Sequence, residues 1–404
     1  MGDQGQVSLA DIEQAAALIK DIAVLTPMED SRWLSALTGH PVLLKCENLQ
    51  RAGSFKIRGA YNRMWHLSEE ERARGVVAAS AGNHAQGVAL AAQTLGIEAT
   101  IFMPEGAPIP KEKATRGYGA HVVFHGRYLE DSLEEARAFQ ERTGAVLIHP
   151  FDNTQIVTGQ GTVGLEILDQ APEVDTVVVP CGGGGLLSGI AIAIKAQRPE
   201  VKIIGVQAEG AAAYPESLRA GHPVPLTSMS TMADGIAVGL PGEVPFATVR
   251  DLVDEIITVT EASLSRAVLV TLERAKLVVE PAGAAAVAAI LDDPARFSSP
   301  TVGVLSGGNI DPLLLGKVIQ HGMAAAGRYL NLQLRIPDRP GGLAGLLVEL
   351  GAAGANVIEV SHARIDADLS LDEVEVHLQL ETRGESHTET VLARLRECGY
   401  RVFE

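Results

Sequence analysis

An α/β fold of open parallel sheets in two subdomains, followed by a small ferredoxin-like βαββαβ unit, is what the sequence predicts. Three observations predict it. Short runs of Val, Ile, Leu and Ala alternate with segments of helical spacing from about residue 42 to residue 324, a rhythm that belongs to βαβ units and hence to parallel sheets. After Ala324-Ala325-Ala326-Gly327 the pattern changes to strand, helix, strand, strand, helix, strand, a unit small enough to fold alone. The third observation is size, because 404 residues exceed the roughly 250 to 300 at which single cores stop growing. The expected domains are 1–324, with a small subdomain at about 50–150, and 328–404.

Each element has its own signal. Ser8, with Asp11 three residues on, caps a helix carrying Ile12, Ala15, Ala16, Ile19 and Ala23 at helical spacing. Val42 to Leu44 reads as a short strand. The alternation then runs strand Val76 to Ala78, helix His84 to Leu95, strand Ala99 to Phe102, helix Lys111 to Arg116, strand His121 to Phe124, helix Leu129 to Arg142 and strand Ala145 to Ile148. Beyond Pro150 it resumes with helix Val157 to Leu168, strand Thr176 to Val179, helix Gly185 to Ala196, strand Lys202 to Val206 and strand Glu255 to Val259. Helices Glu261 to Lys276 and Gly283 to Leu291, strand Thr301 to Leu305 and helix Leu313 to Ala324 complete it, while 210–230 and 241–245 read as loops. The tail reads Leu330 to Ile336, Leu343 to Leu350, Asn356 to Arg364, Glu373 to Glu381, Glu389 to Cys398 and Arg401 to Phe403.

Composition narrows the function. Hydrophobic residues make up 46% and charged residues 21%, as in globular α/β proteins. With 33 basic and 50 acidic residues the formal charge is −17, and no basic run interleaved with aromatics occurs, which argues against nucleic acid and anionic membrane as partners. Three scattered cysteines, Cys46, Cys181 and Cys398, form no CxxC pair or disulfide framework. The N-terminus is acidic and lacks a basic segment followed by an apolar core, so the expected location is cytoplasmic. The 11 histidines include no HxH or HExxH, and no GxSxG occurs.

Four segments carry chemistry. Lys56 follows the Gly53-Ser54-Phe55 turn and opens a helical pattern. There a helix dipole and partial desolvation lower an amine's pKa from about 10.4, toward Schiff-base chemistry. A lone lysine is otherwise a solvated surface charge. Ser80-Ala81-Gly82-Asn83-His84-Ala85-Gln86-Gly87 lies between a strand and a helix and suits a carboxylate, with Asn83 able to donate to a phenolate-type oxygen. A capped βα turn is the plainer reading of that stretch.

Four consecutive glycines, Gly182, Gly183, Gly184 and Gly185, then precede Leu186 and let amides converge on a phosphate at a helix start. The conformational entropy they cost makes an ordinary turn a poor explanation. Ser306-Gly307-Gly308-Asn309 ends a buried strand, where a hydroxyl faces the ligand crevice of an open sheet; alone it would be a turn residue. Gly159, Gly161 and Gly164 spell GxGxxG without a preceding strand, which points to helix packing rather than a dinucleotide site. An amine, a phosphate cradle, an amide, a carboxylate loop and a hydroxyl together are what pyridoxal phosphate needs.

These segments resemble the threonine/serine dehydratases and serine racemases of the fold type II pyridoxal phosphate enzymes, of tryptophan synthase β-like architecture, over residues 10–322. The tail resembles an ACT regulatory domain, with Asp338-Arg339-Pro340-Gly341-Gly342-Leu343 at its first strand-to-helix turn and Asn356 opening the next strand. The pair of likenesses implies a threonine ammonia-lyase acting on L-threonine, with serine slower. The alternatives are a serine racemase or serine dehydratase, a β-replacement enzyme, or an amino-acid sensor without turnover.

The resemblance implies that Lys56 holds the cofactor and, once freed, removes the Cα proton. It places Phe55 behind the cofactor, Asn83 on the ring oxygen, Gly182 to Leu186 on the phosphate and Ser306 on the ring nitrogen. Ser80, Gly82, Asn83 and His84 would take the substrate carboxylate. Ser80 is either an acid/base group, as in the racemases, or part of the loop, and Phe55 is otherwise core packing. The racemases hold a cation through a Glu, a backbone carbonyl and an Asp. Here Glu209 and Ala213 match the first two, but Pro215 replaces the Asp, which leaves a monovalent ion held mainly by carbonyls or a plain surface Glu209. In the tail, Asp338, Gly342, Leu343 and Asn356 are the candidates for an amino-acid effector, with a ligand-free dimerisation module as the alternative. Such units pair, so a homodimer or homotetramer is expected.

Overall fold

The computed structural model describes residues 6–297, 299–363 and 372–403. It forms two compact units, Met1–Leu315 and Gly316–Glu404. The first contains two sheets. The larger runs, edge to edge, Met28–Asp30, Val42–Lys45, Thr301–Val304, Thr176–Pro180, Lys202–Ala208 and Glu255–Val259. All neighbours are parallel except the first pair. Thr176–Pro180 and Thr301–Val304 are buried at every position, as strands covered by helices on both faces must be. The smaller sheet, wholly parallel, runs His121–Phe124, Ala99–Met103, Val76–Ala79 and Val146–Leu147.

The chain leaves the larger sheet after Lys45, builds the smaller sheet, and returns through the helix Thr154–Gln170. The lysine segment, the Ser80 loop, the glycine run and Ser306 therefore each follow the carboxyl end of a parallel strand, where open α/β sheets bind ligands. The glycines of Thr154–Gln170 serve packing, as expected. A Cβ on Gly159 would stand 2.5 Å from the Arg58 carbonyl, one on Gly161 2.9 Å from the Gly189 carbonyl, and one on Gly164 2.8 Å from Cβ of Ala193.

Several boundaries differ from expectation, each for a physical reason. The helix expected over 261–276 is α-helical only for Glu261–Val270; Thr271–Ala275 is a π turn, and Lys276 stops it at φ 61°. The helix expected from Gly283 begins at Ala285. The Ala145 strand shortens to Val146–Leu147. Asn153, accepting from the Gln155 and Ile156 amides, starts its helix at Thr154 rather than Val157.

The regions 210–230 and 241–245 hold the helix Tyr214–Ala220 and the start of Glu243–Leu252. Pro215 and Pro245 each lie in a first turn, where a missing N–H costs nothing. The edge strand Met28–Asp30 and the helices Arg32–Thr38 and Glu69–Arg74 add to the expected elements.

The second unit is a four-stranded antiparallel sheet in the order Asn356–Ala363, Glu373–Glu381, Tyr329–Pro337 and Arg401–Phe403, with helices Gly342–Ala352 and Glu385–Glu397. This is the ferredoxin-like order. Its core is its own, built from Leu332, Leu334, Ile336, Leu346, Leu350, Val376, Leu378 and Leu395 among others. Arg364, expected to end a strand, lies outside the described residues.

Candidate active site

Two short turns, Glu47–Leu49 and Arg51–Gly53, carry the chain from the larger sheet to the helix Lys56–Trp65, whose first residue is the lysine. Ala52 at φ 61° and Gly53 at φ 68° make the bend. Nζ of Lys56 donates to the Pro150 carbonyl at 3.0 Å and lies 5.1 Å from the Phe55 ring centroid. Protein crowded around the amine lowers its pKa to about 8, against the pull of the Glu280 carboxylate.

Ser306 lies directly against this turn. Its carbonyl accepts from the Phe55 amide at 3.3 Å, and Gly307 bridges Ser54. Ser306 is buried. Asn309 donates to the Ala52 carbonyl at 2.6 Å and to Oδ1 of Asn83 at 2.8 Å. Gly87, one turn into the helix Asn83–Leu95, touches the Lys56 backbone so closely that a Cβ there would be 3.0 Å away.

Phe151, next to the carbonyl that holds Lys56, lies on the glycine run; a Cβ on Gly183 would meet its ring at 2.4 Å, and one on Gly185 its Cβ at 3.0 Å. Gly184 caps the helix Gly185–Lys195 at φ 96°, a conformation that favours glycine, and a Cβ there would meet the Tyr214 hydroxyl at 2.0 Å. The Gly183 carbonyl accepts from that hydroxyl at 3.2 Å and from the Gly242 amide at 3.2 Å. Among the described residues, no backbone carbonyl accepts from the amides of Gly183, Gly184, Gly185 or Leu186. Unfilled amides at a helix start beside a lysine amine of lowered pKa fit a phosphate-bearing aldehyde.

Residues 19–308 match the family described as "Pyridoxal-phosphate dependent enzyme". The chain belongs to this family. It is 47% identical to an L-threonine ammonia-lyase of Thermotoga maritima over 98% of this chain and 99% of that one. The processed form of threonine deaminase isoform 2 from Solanum lycopersicum superposes with a TM-score of 0.75 at 40% identity, covering 78% of this chain and 86% of that one. Maize serine racemase superposes with a TM-score of 0.74 at 39% identity, covering 79% of this chain and 99% of that one. The fold is that of the fold type II pyridoxal phosphate enzymes, and the cofactor read from the sequence is the one for which the family is named.

Within this family's frame the remaining residues fall as follows. Ser80 is half-buried, and its hydroxyl accepts from the Gly82 amide at 3.1 Å. Gly82 caps the next helix, so its first amides lack intrahelical acceptors. His84 departs from the expected role at its side chain: Nε2 faces the Ile148 carbonyl at 2.8 Å, turned into the protein. Burial and the Lys56 charge drop its pKa to about 3, so the ring is neutral and only the His84 amide remains for a substrate carboxylate.

Three residues were missed by sequence reading. Glu280 accepts from Nδ2 of Asn83. Lys111 pairs with Asp234, and its amine lies 3.9 Å from where a Gly82 Cβ would be. The only sequence signal is an acid, Glu280, between Val278-Val279 and Pro281-Ala282-Gly283.

At the candidate cation position Glu209 is exposed, and the Ala213 carbonyl accepts from the Ser217 amide at 3.2 Å and hydroxyl at 2.7 Å. Among the described residues no three His, Cys, Asp or Glu side chains cluster for a metal. In the second unit the Asp338 amide donates to Asp372 at 2.8 Å and the Gly342 amide to Arg339 at 3.0 Å, with Gly341 at φ 85°. Asn356 donates to Glu381 at 3.2 Å, and Leu343 packs on that unit's core. Among the described residues no helix is long and apolar enough to cross a membrane.

Proposed function

We propose that the chain is an L-threonine ammonia-lyase, deaminating L-threonine to 2-oxobutanoate and ammonia, with L-serine as a slower substrate. One observation carries the reading: a lysine amine of lowered pKa beside unfilled glycine amides, in a chain that parallels a threonine ammonia-lyase along its whole length. Gly183 to Leu186 hold the phosphate, Asn83 the ring oxygen and Ser306 the ring nitrogen, with Gly182 and Phe55 lining the site. When bound, pyridoxal phosphate supplies an electron sink for the pair left at Cα.

Lys56 would hold the cofactor through its amine, and the free amine takes the Cα proton at Nζ. Its lowered pKa keeps a useful fraction unprotonated near neutrality. Ser306 offers the ring nitrogen a neutral hydroxyl, which does not hold a proton there as a carboxylate would. Loss of the β-hydroxyl is thereby favoured over transamination. Gly82 and the amides of Asn83 and His84 take the substrate carboxylate at a positive helix end. The Ser80 hydroxyl, already accepting from Gly82, has its proton to donate to the bound substrate.

The likeness to maize serine racemase supports a second reading, racemisation with Ser80 as the acid on the opposite face. Incubation with L-threonine and assay for 2-oxobutanoate, beside chiral analysis of serine, separates the two. D-serine without oxo acid overturns the lyase. For the tail we propose an amino-acid effector site at Asp338, Gly342, Leu343 and Asn356, in a homodimer or homotetramer. The helix-start turn supports it, and equilibrium dialysis against candidate amino acids tests it. A cytoplasmic location accords with the unpaired thiols of Cys46, Cys181 and Cys398.

A further inference from the structure

Asn83 and Glu280 lie 197 positions apart and meet side chain to side chain. An asparagine amide offers two N–H donors and one oxygen. At Asn83 the oxygen accepts from Asn309 at 2.8 Å, and one N–H goes to Oε1 of Glu280. Asn309 is itself held by the Ala52 carbonyl at 2.6 Å. Turning the Asn83 amide over would set its oxygen against the Glu280 carboxyl and its nitrogen against the Asn309 nitrogen, so the neighbours allow one orientation. One N–H is left over.

The surroundings make room for this carboxyl. A Cβ on Gly307 would stand 2.3 Å from Oε1 of Glu280 and 3.0 Å from Nδ2 of Asn83, and one on Gly235 would stand 3.4 Å from the same carboxyl oxygen. The Glu280 amide donates to the Gly307 carbonyl at 3.1 Å, and the residue is 2% exposed.

We propose that Glu280 is a positioning residue for the cofactor, holding Asn83 in the orientation whose remaining N–H donates to the ring oxygen. The inference rests on the assignment of Asn83 to that oxygen and extends it to a buried carboxylate outside the four chemistry-bearing segments. It also accounts for the bare backbone at Gly307, where any side chain would displace the carboxyl. Burial and the neighbouring Asp234 lift the Glu280 pKa to about 7, while Lys111, Asn83 and Lys56 pull it down. As pH falls through that value the acceptor becomes an acid and its hold on Asn83 weakens.

A double-mutant cycle on cofactor affinity tests this, using titration of the cofactor-free full chain with pyridoxal phosphate. Asn83→Ala and Glu280→Ala are each expected to weaken binding by about tenfold, and the double variant no more than Asn83→Ala alone. Glu280→Gln keeps an oxygen toward Asn83, so binding should stay within about threefold of the parent. The parent's bound-cofactor spectrum should change with pH around the Glu280 value of about 7, and that of Glu280→Gln should not. Losses that multiply in the double variant, or a spectral midpoint unmoved by Glu280→Gln, overturn the proposal. Where Glu280→Ala does not fold by circular dichroism, the Glu280→Gln titration alone decides. A parent chain that takes up no cofactor overturns the reading of the whole site; a parent that does, with Glu280→Ala indistinguishable from it, overturns this proposal only.

Discussion

A free lysine amine titrates near 10.5, whereas the protein around Lys56 brings it to about 8. If Lys56 takes the Cα proton, kcat falls by about tenfold per pH unit below that value and levels off above it. An acid limb centred near 10 would sink the assignment. Lys56→Ala is expected to abolish both turnover and the cofactor's covalent capture by borohydride, read by mass spectrometry at residue 56. Glu280 gives a prediction of opposite sign. Its folded pKa, about 7, lies above its ordinary 4.5, so the folded state binds more protons between those values and loses stability as pH rises through them. Glu280→Gln should therefore stabilise the cofactor-free chain above neutrality, by on the order of 3 kcal/mol, and leave it near the parent at pH about 4. Equal melting curves for the two proteins at pH about 8 would refute this. The places of Lys56 at a helix start and of Ser306 just past a strand end were legible in the sequence, because a Gly-Ser-Phe turn and a buried apolar run announce them. Glu280, Lys111 and Asp234 were not, because they act only through pairs 197 and 123 positions apart.

Behind the lysine helix lies a charged group that no periodicity announces. Arg58, two residues after Lys56, is buried and donates to both oxygens of Glu47 at 2.8 Å. It also donates to Glu166 at 2.6 and 2.9 Å. Lys45, equally buried, pairs with Glu166 at 2.6 Å. Burial alone would raise the Glu47 carboxyl, yet the Arg58 guanidinium and the Thr26 hydroxyl hold it below its ordinary value. The cluster joins the strand end at Lys45, the lysine helix and the helix Thr154–Gln170. Arg58→Met leaves Glu47 buried beside an apolar side chain and should cost about 3–5 kcal/mol in denaturant unfolding, with Glu47→Gln added to it restoring part of the loss. Gly159→Ala drives a Cβ to 2.5 Å from the Arg58 carbonyl and is expected to cost about 1–3 kcal/mol and to weaken cofactor binding, because the lysine helix must move away. The packing role of those glycines was readable from the missing strand before them. The helices at Tyr214 and Glu243 were hidden by first-turn prolines, and the break at Thr271 has no residue type that marks it.

At the scale of the molecule, the sequence reading separated a long parallel α/β region from a βαββαβ tail, and the two compact units meet at residue 315. The helix Pro312–Ala325, read from the sequence as Leu313 to Ala324, includes that residue. Each unit nevertheless carries its own core. That of the tail draws every member from 330–402, and its sheet closes on its own four strands. A core that is complete within a segment can hold that segment folded without the rest of the chain. Residues 1–327 should therefore fold, bind pyridoxal phosphate and deaminate L-threonine, because every residue assigned to catalysis precedes the cut. Any change of activity with an added amino acid should disappear, since Asp338, Gly342, Leu343 and Asn356 go with the tail. Residues 328–404 expressed alone should give a cooperative melt and antiparallel sheet by circular dichroism. A truncated first unit that is inactive, yet folded and loaded with cofactor, would mean that the tail completes the site and that the two units do not divide catalysis and regulation between them.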